Sequence, residues 1–165
     1  MITPDDFGDP LYRPAVGMML INDENKVFVG QRYDTKDPAW QMPQGGIGPH
    51  EDTDQAMLRE LQEEIGTRNV EIIVKSKIWY KYDLPTPLAE RLWGGRFKGQ
   101  QQIWYALRFR GQDEDINIHT YHPEFRAWKW VEKEEILELI IPFKRDLYTR
   151  VLHDLWPYIL KQASQ

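Results

Sequence analysis

The chain has 165 residues, with 21 Lys and Arg against 26 Asp and Glu, a formal net charge of −5, 41% hydrophobic residues and no cysteine. That length suits one domain with one core, over 1–165. The missing cysteines exclude disulfides and thiolate metal sites, and the acidic balance argues against a non-specific coat for DNA or any other polyanion.

The opening, Met1 to Asp6, is acidic and has no apolar core, unlike a signal peptide. No apolar run approaches the roughly 20 residues of a membrane helix. The expectation is a soluble, cytoplasmic protein with no membrane partner, taken as a monomer. Ala15 to Ile21 and Lys26 to Gln31, joined by the turn Asn22 to Asn25, read as a β-hairpin. Asp34 to Gly48 is rich in Pro, Gly and Gln and reads as a loop. Asp52 to Ile65 is predicted as a helix: Asp52 can cap it, Gln55 stands three residues on, and Gly66 stops it. Val70 to Tyr82 and Gln100 to Arg110 read as long strands separated by a Pro/Gly-bearing loop, and Phe125 to Val131 as another strand. Glu132 to Ile140 and Lys144 to Leu160 read as helices, with Pro157 kinking or fraying the last turn. Strands mixed with a few helices give an α+β domain, a sheet sandwiched in an αβα arrangement.

Five basic residues and no acid lie between Arg91 and Arg110. Such a run is either a solvated face or the local cation cluster that an acidic protein needs to handle a polyanion. Seven tryptophans and 13% aromatics mostly fill the core, leaving one or two rings for base stacking.

Chemistry concentrates in the predicted helix. Met57, Leu58, Leu61 and Ile65 form an apolar stripe, and Glu60, Glu63 and Glu64, at i, i+3 and i+4, gather carboxylates beside it. Three bare glutamates are usually a solvent-facing acidic surface. Here they stand within Gly45-x5-Glu51-x7-Arg59-Glu60-Leu61-x-Glu63-Glu64-x-Gly66. At background frequencies near 5–7%, those seven fixed charged or glycine positions agree by chance about once in 10⁹ starts.

The pattern resembles the Nudix box, with Thr67 in the final slot, where the family usually has an aliphatic side chain. Outside the box, Tyr12-Arg13-Pro14, Trp40 to Gly46, Trp79 to Pro85, Gly99 to Trp104, Pro123-Glu124-Phe125 and Pro142 to Arg145 resemble the branch that holds bacterial RNA pyrophosphohydrolases and dinucleoside tetraphosphate hydrolases. The resemblance implies a Nudix fold and a Mg²⁺-dependent pyrophosphohydrolase, with Mn²⁺ or another divalent cation able to substitute. It implies that Glu60, Glu63, Glu64 and Glu124 are catalytic and bind metal together with Gly45, while Glu51 and Arg59 are structural in the motif. Substrate contacts implied are Arg13, Arg32, Gln44, Tyr82, Gln102, Ile141, Phe143 and Lys144, with Gln100 a weaker candidate. Phe143, with Ile141 beside it, and Arg32 opposite would clamp a nucleobase. Relatives often carry a Lys where this chain has Ile103, so that contact is missing. His50, His119, His122 and His153 are scattered and receive no role, nor do Ser76 and Ser164. The partner implied first is 5′-triphosphorylated RNA, whose hydrolysis to a monophosphate end starts mRNA decay. A dinucleoside polyphosphate is the alternative, and a non-catalytic nucleotide-binding module the remote one.

Overall fold

The computed structural model describes residues 9–33 and 38–163. The acidic opening, Asp34 to Asp37 and Ser164 lie outside the described residues. Strands β1 (Tyr12–Ile21), β2 (Val27–Arg32), β3 (Trp40–Gln41), β4 (Gln44–Gly46), β5 (Val70–Lys75), β6 (Tyr80–Asp83), β7 (Gly99–Phe109) and β8 (Phe125–Val131) make one mixed sheet. Its helices are α1 (Thr53–Ile65), α2 (Thr86–Trp93), α3 (Lys133–Leu139) and α4 (Arg145–Ala163).

The sheet is centred on β1 and β7, which run parallel in register from Tyr12↔Gly99 to Ile21↔Arg108, while the remaining pairs are antiparallel. Side-chain alternation sends successive residues of these strands to opposite faces. Val16, Met18, Leu20, Ile103, Tyr105 and Leu107 pack with Met57, Leu61 and Ile65 of α1. Met19, Ile21, Trp104 and Ala106 pack instead with Ile136 of α3 and Tyr148, Val151 and Leu155 of α4. The αβα sandwich follows, because both sheet faces are apolar and each needs a helix layer.

Several predicted elements take a different form. The β1–β2 hairpin pairs only at Ile21↔Val27. Beyond it the strands part, because β1 takes β4 and β7 as partners and β2 takes β8 and β3. The predicted 34–48 loop contains β3 and β4, whose backbones pair with β2 and β1. The predicted strand from Val70 to Tyr82 is two: Ser76 breaks it, donating from its hydroxyl to the Ile78 carbonyl and from its amide to the Trp104 carbonyl. The loop after β6 folds as α2, opened by Pro85 and Pro87 and closed by left-handed Gly94. Helix α4 runs through Pro157 to Ala163.

Helix α1 has the predicted ends. Asp52 accepts from the Gln55 amide at 2.8 Å, the Gln55 side chain returns to the Asp52 amide, and Gly66 closes the helix at φ 75°. Thr67 is buried and its hydroxyl accepts from the Asn69 amide, so the non-aliphatic slot is satisfied locally.

Candidate active site

Pairing between β4 and β1, with Val16 opposite Gly45, draws the double glycine along the flank of α1. A side chain on either glycine would displace a candidate functional group. A Cβ on Gly45 would stand 1.9 Å from Glu60 Cδ, and one on Gly46 would stand 2.5 Å from Arg13 Nη2. The bare backbone thus lets the Glu60 carboxylate and the Arg13 guanidinium approach it closely.

Arg59 organises the acidic side. Its Nε and Nη2 hold Glu51 in a bidentate pair at 2.8 and 2.9 Å, and Nη2 also donates to the Gly46 carbonyl at 2.8 Å. Its Nη1 reaches Glu60 at 2.9 Å and Glu63 at 3.3 Å. The guanidinium beside Glu51 holds that carboxyl below its ordinary pKa range. Glu60 goes the other way: burial raises it, and Arg59 only partly offsets the rise. Glu64 is nearly inaccessible at 3% and its Oε2 has no hydrogen-bond partner. Burial first, then the charges of Glu60 and Glu124, push its carboxyl well above the usual carboxylate range. Glu124 is half-buried just ahead of β8, with Oε2 3.7 Å from Arg32 Nη2.

A buried, unpartnered carboxylate oxygen that feels two further carboxylates is costly as it stands. A hard divalent cation would relieve both the missing contact and the repulsion, and oxygen donors are what such a cation prefers. The residues present fit one. Among the described residues, no three acidic or histidine side chains already form a closed coordination set. Glu63 is exposed and tied to Arg59, which stands between it and Glu51.

Facing these carboxylates is a cavity of about 840 Å³ lined by Arg13, Arg32, Gln44, Gly45, Glu60, Tyr82, Gln100, Glu124, Ile141, Phe143 and Lys144. Glu60 and Glu124 share it with four cations, Arg13, Arg32, Lys144 and Arg91 from α2. Its floor is a relay of amides. Trp104 Nε1 donates to Gln102 Oε1 at 2.8 Å, and Gln102 Nε2 donates to Gln44 Oε1 at 3.1 Å and to Gln100 Oε1 at 2.9 Å. Tyr82 also donates to Gln100, and the buried Lys144 ammonium to Gln44 at 3.3 Å. Gln100 and Gln102 share a face because they stand two apart on β7. Phe143 is half-buried and stacks on Tyr82, with ring centroids 6.5 Å apart and planes 25° from parallel.

Of the residues singled out in the sequence, Glu63, Glu64, Gln102, Glu51 and Arg59 stand outside the cavity lining, and the others line it. Sequence reasoning missed Gln41, Leu84 and the α2 wall of Leu88, Leu92 and Trp93, and named Arg91 only as part of the basic run. The apolar pair Leu88 and Leu92, four residues apart after Thr86-Pro87, was the available signal.

A family model described as NUDIX domain matches residues 11–151. The chain is 54% identical over 143 residues to an RNA pyrophosphohydrolase of Rickettsia typhi, covering 87% of this chain and 89% of the relative. It is 53% identical over the same span to the RNA pyrophosphohydrolase of Rickettsia prowazekii. Among solved structures, the fold is similar to a C. elegans Ap4A hydrolase binary complex, with TM-score 0.60, 18% identity, and coverage of 87% of this chain and 98% of that one. It is also similar to the E. coli dihydroneopterin triphosphate pyrophosphohydrolase, with TM-score 0.62, 17% identity, and coverage of 85% and 96%.

Proposed function

The chain belongs to the Nudix family of hydrolases, and on that premise we propose that it is an RNA pyrophosphohydrolase that converts 5′-triphosphate RNA ends to monophosphate ends and so opens the way to mRNA decay in a bacterial cytoplasm. The observation that carries this reading is the 54% identity to proteins of that name over nearly the whole chain. The cavity is consistent with it: carboxylates for a cation, cations for a polyphosphate and an aromatic pair for a base meet in one space.

Glu60, Glu64 and Glu124, joined by Glu63 on release from Arg59 and by the Gly45 backbone, are the groups that would hold Mg²⁺, with Mn²⁺ as substitute. When bound, such an ion lowers the pKa of water and neutralises charge on the departing phosphate. Arg59 keeps Glu51 and Glu60 in place. Arg13 and Arg32 pair with phosphate oxygens, for which the guanidinium fork is suited. Lys144 and the Gln44–Gln102–Gln100 relay offer donors around the polyphosphate. Phe143, backed by Tyr82 and flanked by Ile141, presents a ring to the first base, with Arg32 as the other jaw. Glu64 or Glu124 takes the proton from the attacking water.

The test is kcat/KM for a triphosphorylated RNA oligonucleotide and for a dinucleoside tetraphosphate in one magnesium buffer. RNA is expected to be preferred by tenfold or more, with all activity lost to chelator and restored by Mg²⁺. A preference for the dinucleoside tetraphosphate would move the assignment to the alternative substrate, and undiminished turnover after exhaustive chelation would overturn the metal-dependent mechanism.

A further inference from the structure

The five cations between Arg91 and Arg110 fall into two sets. Arg108 is buried and donates to the Asn22 carbonyl at 2.6 Å, to Asn25 Oδ1 at 2.9 Å and to Gln162. Arg110 pairs with Glu71. Lys98 lies 5.2 Å above the Tyr12 ring and bonds its hydroxyl. These three tie the fold together. Arg91 and Arg96 are exposed, and among the described residues neither has an ion-pair partner.

Both stand at the C-terminal end of α2, among aromatic rings. Trp93 meets Phe97 edge-on at 5.8 Å, and the Arg96 guanidinium lies 5.1 Å over Phe97. Arg91, Leu92 and Trp93 also line the cavity that holds Glu60 and Glu124, so the cluster is continuous with the catalytic space. Leu92 is 56% exposed. The turn beyond it, left-handed at Gly94 and Gly95, has open space where their Cβ atoms would be.

Cations interleaved with rings are how proteins hold single-stranded nucleic acid without reading its sequence: guanidinium groups meet phosphates and rings meet bases. On a protein of net charge −5, RNA is repelled from most of the surface, so Arg91 in the cavity lining and Arg96 just beyond α2, both without an ion pair among the described residues, count for more. A mononucleotide ends inside the cavity, whereas an RNA has a 3′ continuation that must leave it. We propose that the end of α2, through Arg91, Trp93, Arg96 and Phe97, is the exit track for the RNA strand 3′ of the nucleotide whose triphosphate is cut. The inference rests on the RNA reading above and adds to it a contact that selects RNA over smaller nucleotides.

The test uses the full chain and the double variant Arg91→Gln, Arg96→Gln, on a triphosphorylated single-stranded RNA octamer and on a nucleoside triphosphate, over a range of salt concentrations. Losing two phosphate contacts should make the slope of log kcat/KM against log salt for the octamer shallower by about 1.4, at roughly 0.7 per contact for a single strand. At low salt, kcat/KM for the octamer should fall roughly tenfold or more, and that for the nucleoside triphosphate should fall several-fold less. Arg91→Lys with Arg96→Lys should restore the slope. An unchanged octamer slope, or equal loss on both substrates, overturns the track while leaving the RNA reading in place. A wild-type protein that does not hydrolyse triphosphorylated RNA removes that reading and the track with it.

Discussion

At Glu64 the folded chain bears a cost that its surroundings do not offset. The carboxylate is 3% exposed, one oxygen has no partner, and burial with the charges of Glu60 and Glu124 outweighs the relief from Arg32 and the Gln44 backbone. Glu64→Gln keeps the shape and removes the charge. We expect kcat to fall by roughly 10² to 10⁴, the range for losing a positioned catalytic group. In chelator, the variant should melt no lower than the wild type, because a buried like-charge contact has gone. Steady-state kinetics beside a melting curve check both, and a folded variant within threefold of wild-type kcat would remove Glu64 from the machinery. The sequence named Glu64 through its place in the box, yet its burial was not legible. Spacing of i, i+3 and i+4 puts Glu60, Glu63 and Glu64 on one flank but does not say that Glu64 is buried while Glu63 stays in solvent. That division comes from the β4–β1 pairing, a contact between distant segments.

Helix α4 holds the site from behind. Tyr148 accepts from the Met42 amide at 3.0 Å, which fixes the strand leading into Gln44. Tyr80 of β6 donates to Asp154 at 2.6 Å, and Arg150 donates to the Lys81 carbonyl at 3.0 Å. The Tyr80 hydroxyl, with His153 beside it, holds the Asp154 carboxyl below its ordinary pKa. A depressed carboxylate contributes stability above its unfolded pKa, about pH 4, and loses it as pH falls through the folded value. Asp154→Asn should therefore lower Tm at neutral pH, and the difference from wild type should close towards pH 3. Tyr80→Phe should cost roughly 1–6 °C at neutral pH, one hydrogen bond of about 0.5–1.5 kcal/mol in a chain of this size. Melting curves across pH measure this, and a difference that widens on acidification would contradict the linkage. Elements of this kind divide by how local their causes are. Helix α1 was legible to the residue because Asp52, Gln55 and Gly66 lie within its own segment. Helix α2 was not, since eight residues that hold Pro87 and are flanked by Pro85 and two glycines read as a loop until Ala89 is buried and Leu88 packs on the core. The β1–β2 hairpin was half legible: its turn is local, but the partners that separate its strands are not.

Across the whole molecule, Arg13, Arg32, Arg91 and Lys144 line one cavity with Glu60 and Glu124, whose charges are felt by the buried Glu64. The arrangement couples ligand binding to stability. A divalent cation that binds the native Glu60, Glu64 and Glu124 set and not the unfolded chain stabilises the fold by RT ln(1 + [L]/Kd), about 2.7 kcal/mol at a hundredfold excess over Kd. For a chain of this length that is a rise in Tm of roughly 5–10 °C. Simple screening of the net charge would also raise Tm on adding salt, so the comparison must hold ionic strength constant, with NaCl in chelator against MgCl₂. We expect the rise only with Mg²⁺ or Mn²⁺, and expect Glu64→Gln to lose most of it. Asp154→Asn, remote from the cavity, should retain it in full. If Mg²⁺ and NaCl shift the wild-type melting curve equally at matched ionic strength, the carboxylate set does not bind the ion in the folded protein, and the cost at Glu64 must be met by something other than a metal.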